Sequence, residues 1–366
     1  MKRILLSLTL VASSIAFSQT LQSENFNTYT IGNMSTDFTA NTPGQGSWLT
    51  LSSNGTEPTT STNAAVTNFQ VVSNGNMGTN GLQITSPNGD KGSRYMWKNG
   101  LDVSWANRTA GNNIIEIEYD FFTGAETESR TQVGMRLYGI QLVQDIPTTR
   151  TPVGFAYSTN TRVLSGVAYA ANGATNGTFL INLGTTPLVL ASNTWYTIGC
   201  SYNTITGEAM WKTSPSAAPI SLPEANRIPN MTPTEVDYLQ VAVSANAAAT
   251  PPVPANTATS TIIFDNYISR ASATSTLLSS SNFDIVGNDV ISVYPNPAAD
   301  VLNLAIKGSE TINSAKVLDL NGRQIFTKTF NNVSDAQIDV NDLSSGLYLI
   351  SITSGENTVT KKFLKQ

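Results

Sequence analysis

Trp195-Tyr-Thr-Ile-Gly-Cys-Ser-Tyr-Asn203, followed by Thr206-Gly207-Glu208 and Met210-Trp211, is the stretch on which the fold turns. Side chains on a strand alternate between two faces. Tyr196, Ile198, Cys200 and Tyr202 therefore share one face, and that face belongs in a core. Thr206-Gly207 reads as a tight turn, and Met210-Trp211 begins the returning strand. The same grammar repeats outward along the chain. Asn113-Ile-Ile-Glu-Ile-Glu-Tyr-Asp-Phe-Phe122 puts Ile115, Ile117, Tyr119 and Phe121 on one face and three carboxylates on the other.

Further strands are read at 81–85, 131–143, 153–157, 163–169, 177–182, 238–243 and 261–269, each bounded by Gly, Asn, Ser or Thr clusters. No helical periodicity of any length interrupts them. About a dozen such strands suit a jelly-roll sandwich, and no fixed-period repeat points to a propeller or solenoid. The 195–211 hairpin resembles the central hairpin of concanavalin A-like or laminin-G-like domains, which show an aromatic pair, a Thr-Gly turn and a return strand. Glu24-Asn-Phe-Asn27 resembles the opening strand of such domains, and Ile263-Phe-Asp-Asn-Tyr-Ile268 the closing one. The resemblance implies that these two strands sit side by side.

The two ends carry a different message. Lys2 and Arg3 precede an apolar run from Ile4 to about Ile15, then Ala16-Phe17-Ser18. This is the layout of a secretory signal peptide over residues 1–18, with a run too short for an ordinary membrane span. At the other end, residues 290–366 read as a small immunoglobulin-like β-sandwich of about seven short strands. Leu302, Leu304 and Ile306 share a face, and Asn321-Gly322 is a preferred hairpin turn. Tyr294-Pro-Asn-Pro297, Leu320-Asn-Gly-Arg323, Ser345-Gly-Leu-Tyr348 and Lys361-Lys-Phe-Leu-Lys365 resemble, block by block, the type A C-terminal sorting domain of the type IX secretion system. That resemblance implies a Bacteroidota source and export by the type IX machinery. It also implies removal of the domain by a sortase-like protease, and a mature part that is released or attached to surface lipopolysaccharide. Residues 271–289, rich in Ser, Thr and Ala, read as a linker, which leaves 19–270 as the cargo.

Two absences limit the chemistry. The 366 residues include no histidine, which removes Ser-His-Asp and Cys-His catalysis and histidine-ligated zinc. The single cysteine, Cys200, forms no intramolecular disulfide and is expected as a buried thiol. Charged residues make up 12% of the chain, the net charge is −5, and no basic run stands out, so nucleic acid is not an expected partner. After the leader no segment is long and apolar enough to span a bilayer, so no transmembrane segment is expected.

Three sets of residues are candidates for function. Glu116, Glu118 and Asp120 share the face opposite the core, either as a solvated face balanced by Arg136 or as chemistry. Their spacing resembles the Glu-x-Asp-x-Glu strand of laminarinase-type glycoside hydrolases, with the second and third acids exchanged. That resemblance implies Glu116 as nucleophile and Glu118 or Asp120 as proton donor. Tyr95, Trp97, Trp105, Arg136 and Tyr138 form the second set. Aromatic rings offer large contact area at low entropy cost to sugar rings, and Arg binds hydroxyls; the alternative is packing between the sheets. Glu24 and Asp265, on the opening and closing strands, could share a structural calcium. The expected function is a secreted or surface-attached, non-catalytic carbohydrate-binding or adhesion module, with polysaccharide as partner. A laminarinase-type hydrolase and a structural surface or matrix protein are the alternatives.

Overall fold

The computed structural model describes residues 18–54, 63–278, 291–306, 311–319, 324–354 and 357–366. Residues 1–17 of the leader and the Leu320–Arg323 turn lie outside them. The chain forms two compact units, 1–278 and 279–366. Among the described residues the first unit has seventeen strands, β1 to β17: Gln19–Glu24, Gly32–Asn33, Leu49–Ser53, Phe69–Val72, Gly81–Thr85, Ser93–Trp97, Ile114–Phe122, Thr131–Val143, Ile146–Ser158, Val163–Asn172, Thr175–Asn182, Leu188–Val189, Trp195–Asn203, Ala209–Lys212, Ile220–Ser221, Thr232–Ala242 and Thr261–Ser272. One short helix, α1 (Leu101–Ala106), joins them.

The strands make two antiparallel sheets. The first runs β15-β14-β13-β7-β17-β5-β4-β2, with β1 added against β17. The second runs β11-β10-β9-β8-β16-β6-β3, with β12 added against β10. The opening and closing strands pair as expected, with Glu24 opposite Tyr267. Strand β17 changes partner along its length. Its start lies against β5, its end against β1, and the ladder to β7 is interrupted between Asp265 and Ile268, where Asn266 takes a positive φ.

The core is made by the alternation read from sequence. Ile115, Ile117, Tyr119 and Phe121 are all buried, and so are Ile198, Cys200 and Tyr202 opposite them on β13. Tyr119 meets Phe155 of the second sheet edge-on at 6.3 Å, and Tyr238 meets Phe264 at 5.0 Å. Such pairs add about 0.5–1.5 kcal/mol each beyond their buried area. Trp211 lies against Gly166, where an added Cβ would stand 2.6 Å from the indole, and its Nε1 donates to the Gly154 carbonyl at 2.8 Å. The Thr206-Gly207 turn needs its glycine: φ is +73°, and a Cβ there would meet the Ile228 backbone at 2.5 Å. Burial pushes the Cys200 thiol well up, which leaves it a packing group.

The second unit has seven strands among its described residues, β18 to β24: Ile291–Tyr294, Val301–Ile306, Ile312–Leu318, Gln324–Val333, Asp335–Asp339, Gly346–Ser354 and Asn357–Lys365. They form a three-stranded sheet, β18-β19-β22, and a four-stranded one, β21-β20-β23-β24. Leu302, Leu304 and Ile306 are buried together with Ile350, Ile352 and Phe363, so this small sandwich has a core of its own.

Candidate functional site

The two polar candidate sets lie on the outer faces of different sheets. On the first sheet, β7 is central, between β13 and β17. Its carboxylates are not solvated: Glu116 is fully buried, and Glu118 and Asp120 are nearly so. The cover is the stretch following β17. The Glu116 carboxylate accepts hydrogen bonds from the hydroxyls of Ser272 (2.9 Å), Ser275 (3.1 Å) and Thr276 (2.7 Å) and from the Thr276 backbone N–H (2.5 Å). Glu118 accepts from the Leu278 N–H at 2.7 Å and pairs with Arg270 at 2.9 Å. Leu277 and Leu278 are buried over Gly199, where a Cβ would collide with Leu277 at 2.8 Å, and Lys212 ties down the Leu278 carbonyl at 3.1 Å.

Two expectations change here. The residues from 271 to 278 are part of the sandwich rather than of a linker. The counter-charge for the acids is Arg270; Arg136 belongs to the other sheet. The arrangement also bears on hydrolysis. A retaining nucleophile must reach an anomeric carbon, whereas both Glu116 oxygens are occupied and covered. Asp120 is held separately, by Asn76 and Asn266 side-chain amides (2.8 Å each) and the Thr197 hydroxyl (2.5 Å).

Asp265 sits opposite Asp120 on β17. It accepts from the Asn76 N–H (2.9 Å), the Thr79 hydroxyl (2.9 Å) and the Asn266 N–H (2.7 Å). Burial, opposed by these bonds, pushes its carboxyl up to about 7. Glu24 has a different set of donors: the N–H groups of Asn25 and Phe26, Trp48 Nε1 at 3.1 Å, and the Tyr29 hydroxyl. Each of the two carboxylates expected to share a calcium is thus held by its own donors. Among the described residues, no group of three or more acidic, histidine or cysteine side chains is gathered as a cation set.

The second sheet presents the aromatic candidates. Strand β16 runs between β6 and β8 and brings their outer faces together. Trp97 stands opposite Asp237, and Asp237 opposite Arg136, so the three form one row across three strands. Tyr95 stands opposite Leu239, and Tyr138 opposite Glu235. Tyr95, Trp97, Arg136 and Tyr138 are all half-buried. Trp105 is not with them. It lies on α1, 3% exposed in the core, with the Arg108 guanidinium 4.0 Å over its ring. A six-residue helix had no periodicity to reveal which way this Trp faces.

Asp237 and Glu235 were missed in the sequence reading. The available signal was an acid inside the apolar run Val236-Asp-Tyr-Leu239, a setting that forces a carboxylate into a sheet centre. Asp237 is 6% exposed, and its Oδ1 has no hydrogen-bond partner; the Nε of Arg136 has none either. Burial, then the neighbouring Glu235, push the Asp237 carboxyl up to about 8, with Arg136 opposing. Burial also raises Glu235, helped by Asp102 of α1. Burial raises the Tyr138 phenol to about 12, helped by Asp237 and Tyr95, and raises Tyr95 too. At neutral pH this face offers two phenols, a protonated carboxyl and one guanidinium beside an indole.

Residues 292–366 match the family model described as the secretion system C-terminal sorting domain. The matched region lies within the second unit. Among curated proteins, none matches the chain. Solved structures similar to it include a carbohydrate esterase from the Shiga toxin-encoding bacteriophage phi24B (13% identity, 70% of this chain and 100% of that one, TM-score 0.39). An endo-β-1,4-glucuronan lyase from the fungus Trichoderma reesei gives 10% identity over 57% of this chain and 89% of that one, TM-score 0.39. The alginate lyase vAL-1 from Chlorella virus gives 11% over 55% and 88%, TM-score 0.37.

Proposed function

We propose that this chain is a polysaccharide-binding protein of the bacterial exterior, exported through the type IX system and engaging glycans through the outer face of its second sheet. Export to the cell surface or the medium follows from the sorting domain at 292–366. The leader at residues 1–18, the Bacteroidota source and removal of the sorting domain by a sortase-like protease extend that reading. For the cargo, the supporting observation is the convergence of Tyr95, Trp97, Arg136 and Tyr138. These come from strands that are not neighbours, yet they share a half-buried face instead of entering the core. Sugars bind through such faces because the C–H side of the ring stacks on aromatics while polar groups take the hydroxyls.

The test is migration of the full chain on native gels cast with plant, algal and bacterial polysaccharides. Retardation by at least one polymer, lost in Trp97→Ala and Tyr138→Ala and kept in Glu116→Gln, is the expected result. Unchanged migration across the panel would move the reading to a structural or protein-binding surface component.

A further inference from the structure

The row Trp97–Asp237–Arg136 holds a donor and an acceptor that the protein itself does not use. The Arg136 Nε–H and the Asp237 Oδ1 are both buried and unpartnered, and they occupy facing positions on adjacent strands. A buried polar atom without a partner is costly, by about 1–3 kcal/mol, and native structures keep few of them. On the other side of Asp237, Trp97 supplies an indole edge or face within the same row. The chemistry that completes this row must accept one hydrogen bond, donate another, and present an apolar surface beside them. Two neighbouring hydroxyls on a sugar ring do all three: one oxygen accepts from Arg136 Nε, the adjacent O–H donates to Asp237, and the ring's C–H face meets Trp97. A carboxylate or sulfate would satisfy Arg136 but offer no donor to the Asp237 Oδ1.

We infer that Asp237 and Arg136 form a subsite for the vicinal diol of an uncharged sugar residue, with Trp97 as its apolar wall. This rests on the glycan-binding reading of the same face and names its ligand class.

The experiment uses the full chain and four polymers: glucomannan, whose 1,4-linked units carry free vicinal diols; the same glucomannan after periodate cleavage of those diols; laminarin, whose 1,3-linked units lack them; and alginate, which adds a carboxylate to each unit. Affinity gels should show retardation by intact glucomannan only. Asp237→Leu and Arg136→Met should each weaken it by about tenfold or more, the loss of one hydrogen bond to a charged or buried group, with unchanged or higher thermal midpoints. Should either variant misfold, Asp237→Val, which removes the acceptor and suits a strand, serves in its place. The periodate comparison needs no variant at all.

Equal retardation by laminarin or by cleaved glucomannan would overturn the diol assignment, as would glucomannan binding by Asp237→Leu at wild-type strength. Retention by alginate alone, suppressed by salt, would replace the diol by an anion on Arg136. If Trp97→Ala abolishes binding while both row variants keep it, the platform stands and the subsite falls. If the wild type is retarded by nothing in the wider panel, both fall together.

Discussion

The outer faces of the two sheets began alike and ended differently. Each carries polar and charged side chains at alternate positions of a central strand, backed by an apolar inner face. On the first sheet the acids of β7 are covered by residues 272–278 and saturated with donors. On the second, the row through Asp237 keeps unpartnered polar atoms beside half-buried aromatics. Alternation therefore decides which residues leave the core, but what they do there depends on whether a later segment returns to cover them. Saturated buried polar groups stabilise a fold, while unsaturated ones cost it free energy.

That contrast can be broken experimentally, most forcefully at the covered face. Glu118→Ala leaves Arg270 buried without its partner and is expected to lower unfolding free energy by about 3–5 kcal/mol, measured by urea titration. Glu116→Gln should cost about 2 kcal/mol, since the amide cannot accept all four bonds, and should leave polymer retardation unchanged. If instead it folds at full stability and alters glycan affinity, the covered face would have to be reread as a site.

The outer face of the second sheet makes a pH prediction of its own. Asp237 holds its proton in the folded chain up to about 8 and loses it near 3.8 when unfolded. The unfolded state therefore binds fewer protons between those values, and stability falls as pH rises through the window, by up to about 1.4 kcal/mol per pH unit. Asp237→Asn should flatten that part of the slope and leave the separate contribution of Asp265, raised to about 7, in place. Denaturant midpoints at intervals from pH 5 to 8 read this directly. The smallest stability effect belongs to Trp97→Ala, about 1 kcal/mol or less for a half-buried surface ring, set against a roughly tenfold loss of polymer affinity. A large stability loss without an affinity loss would return Trp97 to plain packing.

Much of the sandwich was legible because period-two alternation is a local signal. The β7 and β13 core faces and the Thr206-Gly207 turn could be read from neighbours in sequence, whereas the meeting of opening and closing strands was implied only by the resemblance of 24–27 and 263–268 to concanavalin A-like domains. That Tyr95 and Trp97 share one face of β6, and Arg136 and Tyr138 one face of β8, was legible for the same reason. What was hidden was non-local. Nothing near Trp97 or Arg136 says that β16 inserts Asp237 between them. Nothing in the Ser- and Ala-rich stretch after Arg270 announces a cover except the apolar pair Leu277-Leu278, which stands out in that composition. Trp105 failed for a third reason: a six-residue helix carries too few residues to show a face.

The seal over β7 also sets an order of events. Glu116 waits on partners 156 to 160 residues downstream, and β1 waits even longer for β17. Contacts so far apart close slowly, because long-loop entropy is lost before they form. A chain emerging from its N-terminal end therefore carries an uncompensated acidic strand at the middle of its first sheet until Arg270 and the donors of residues 272–278 arrive. The covered face of the first sheet is thus completed by the last residues of the unit to appear.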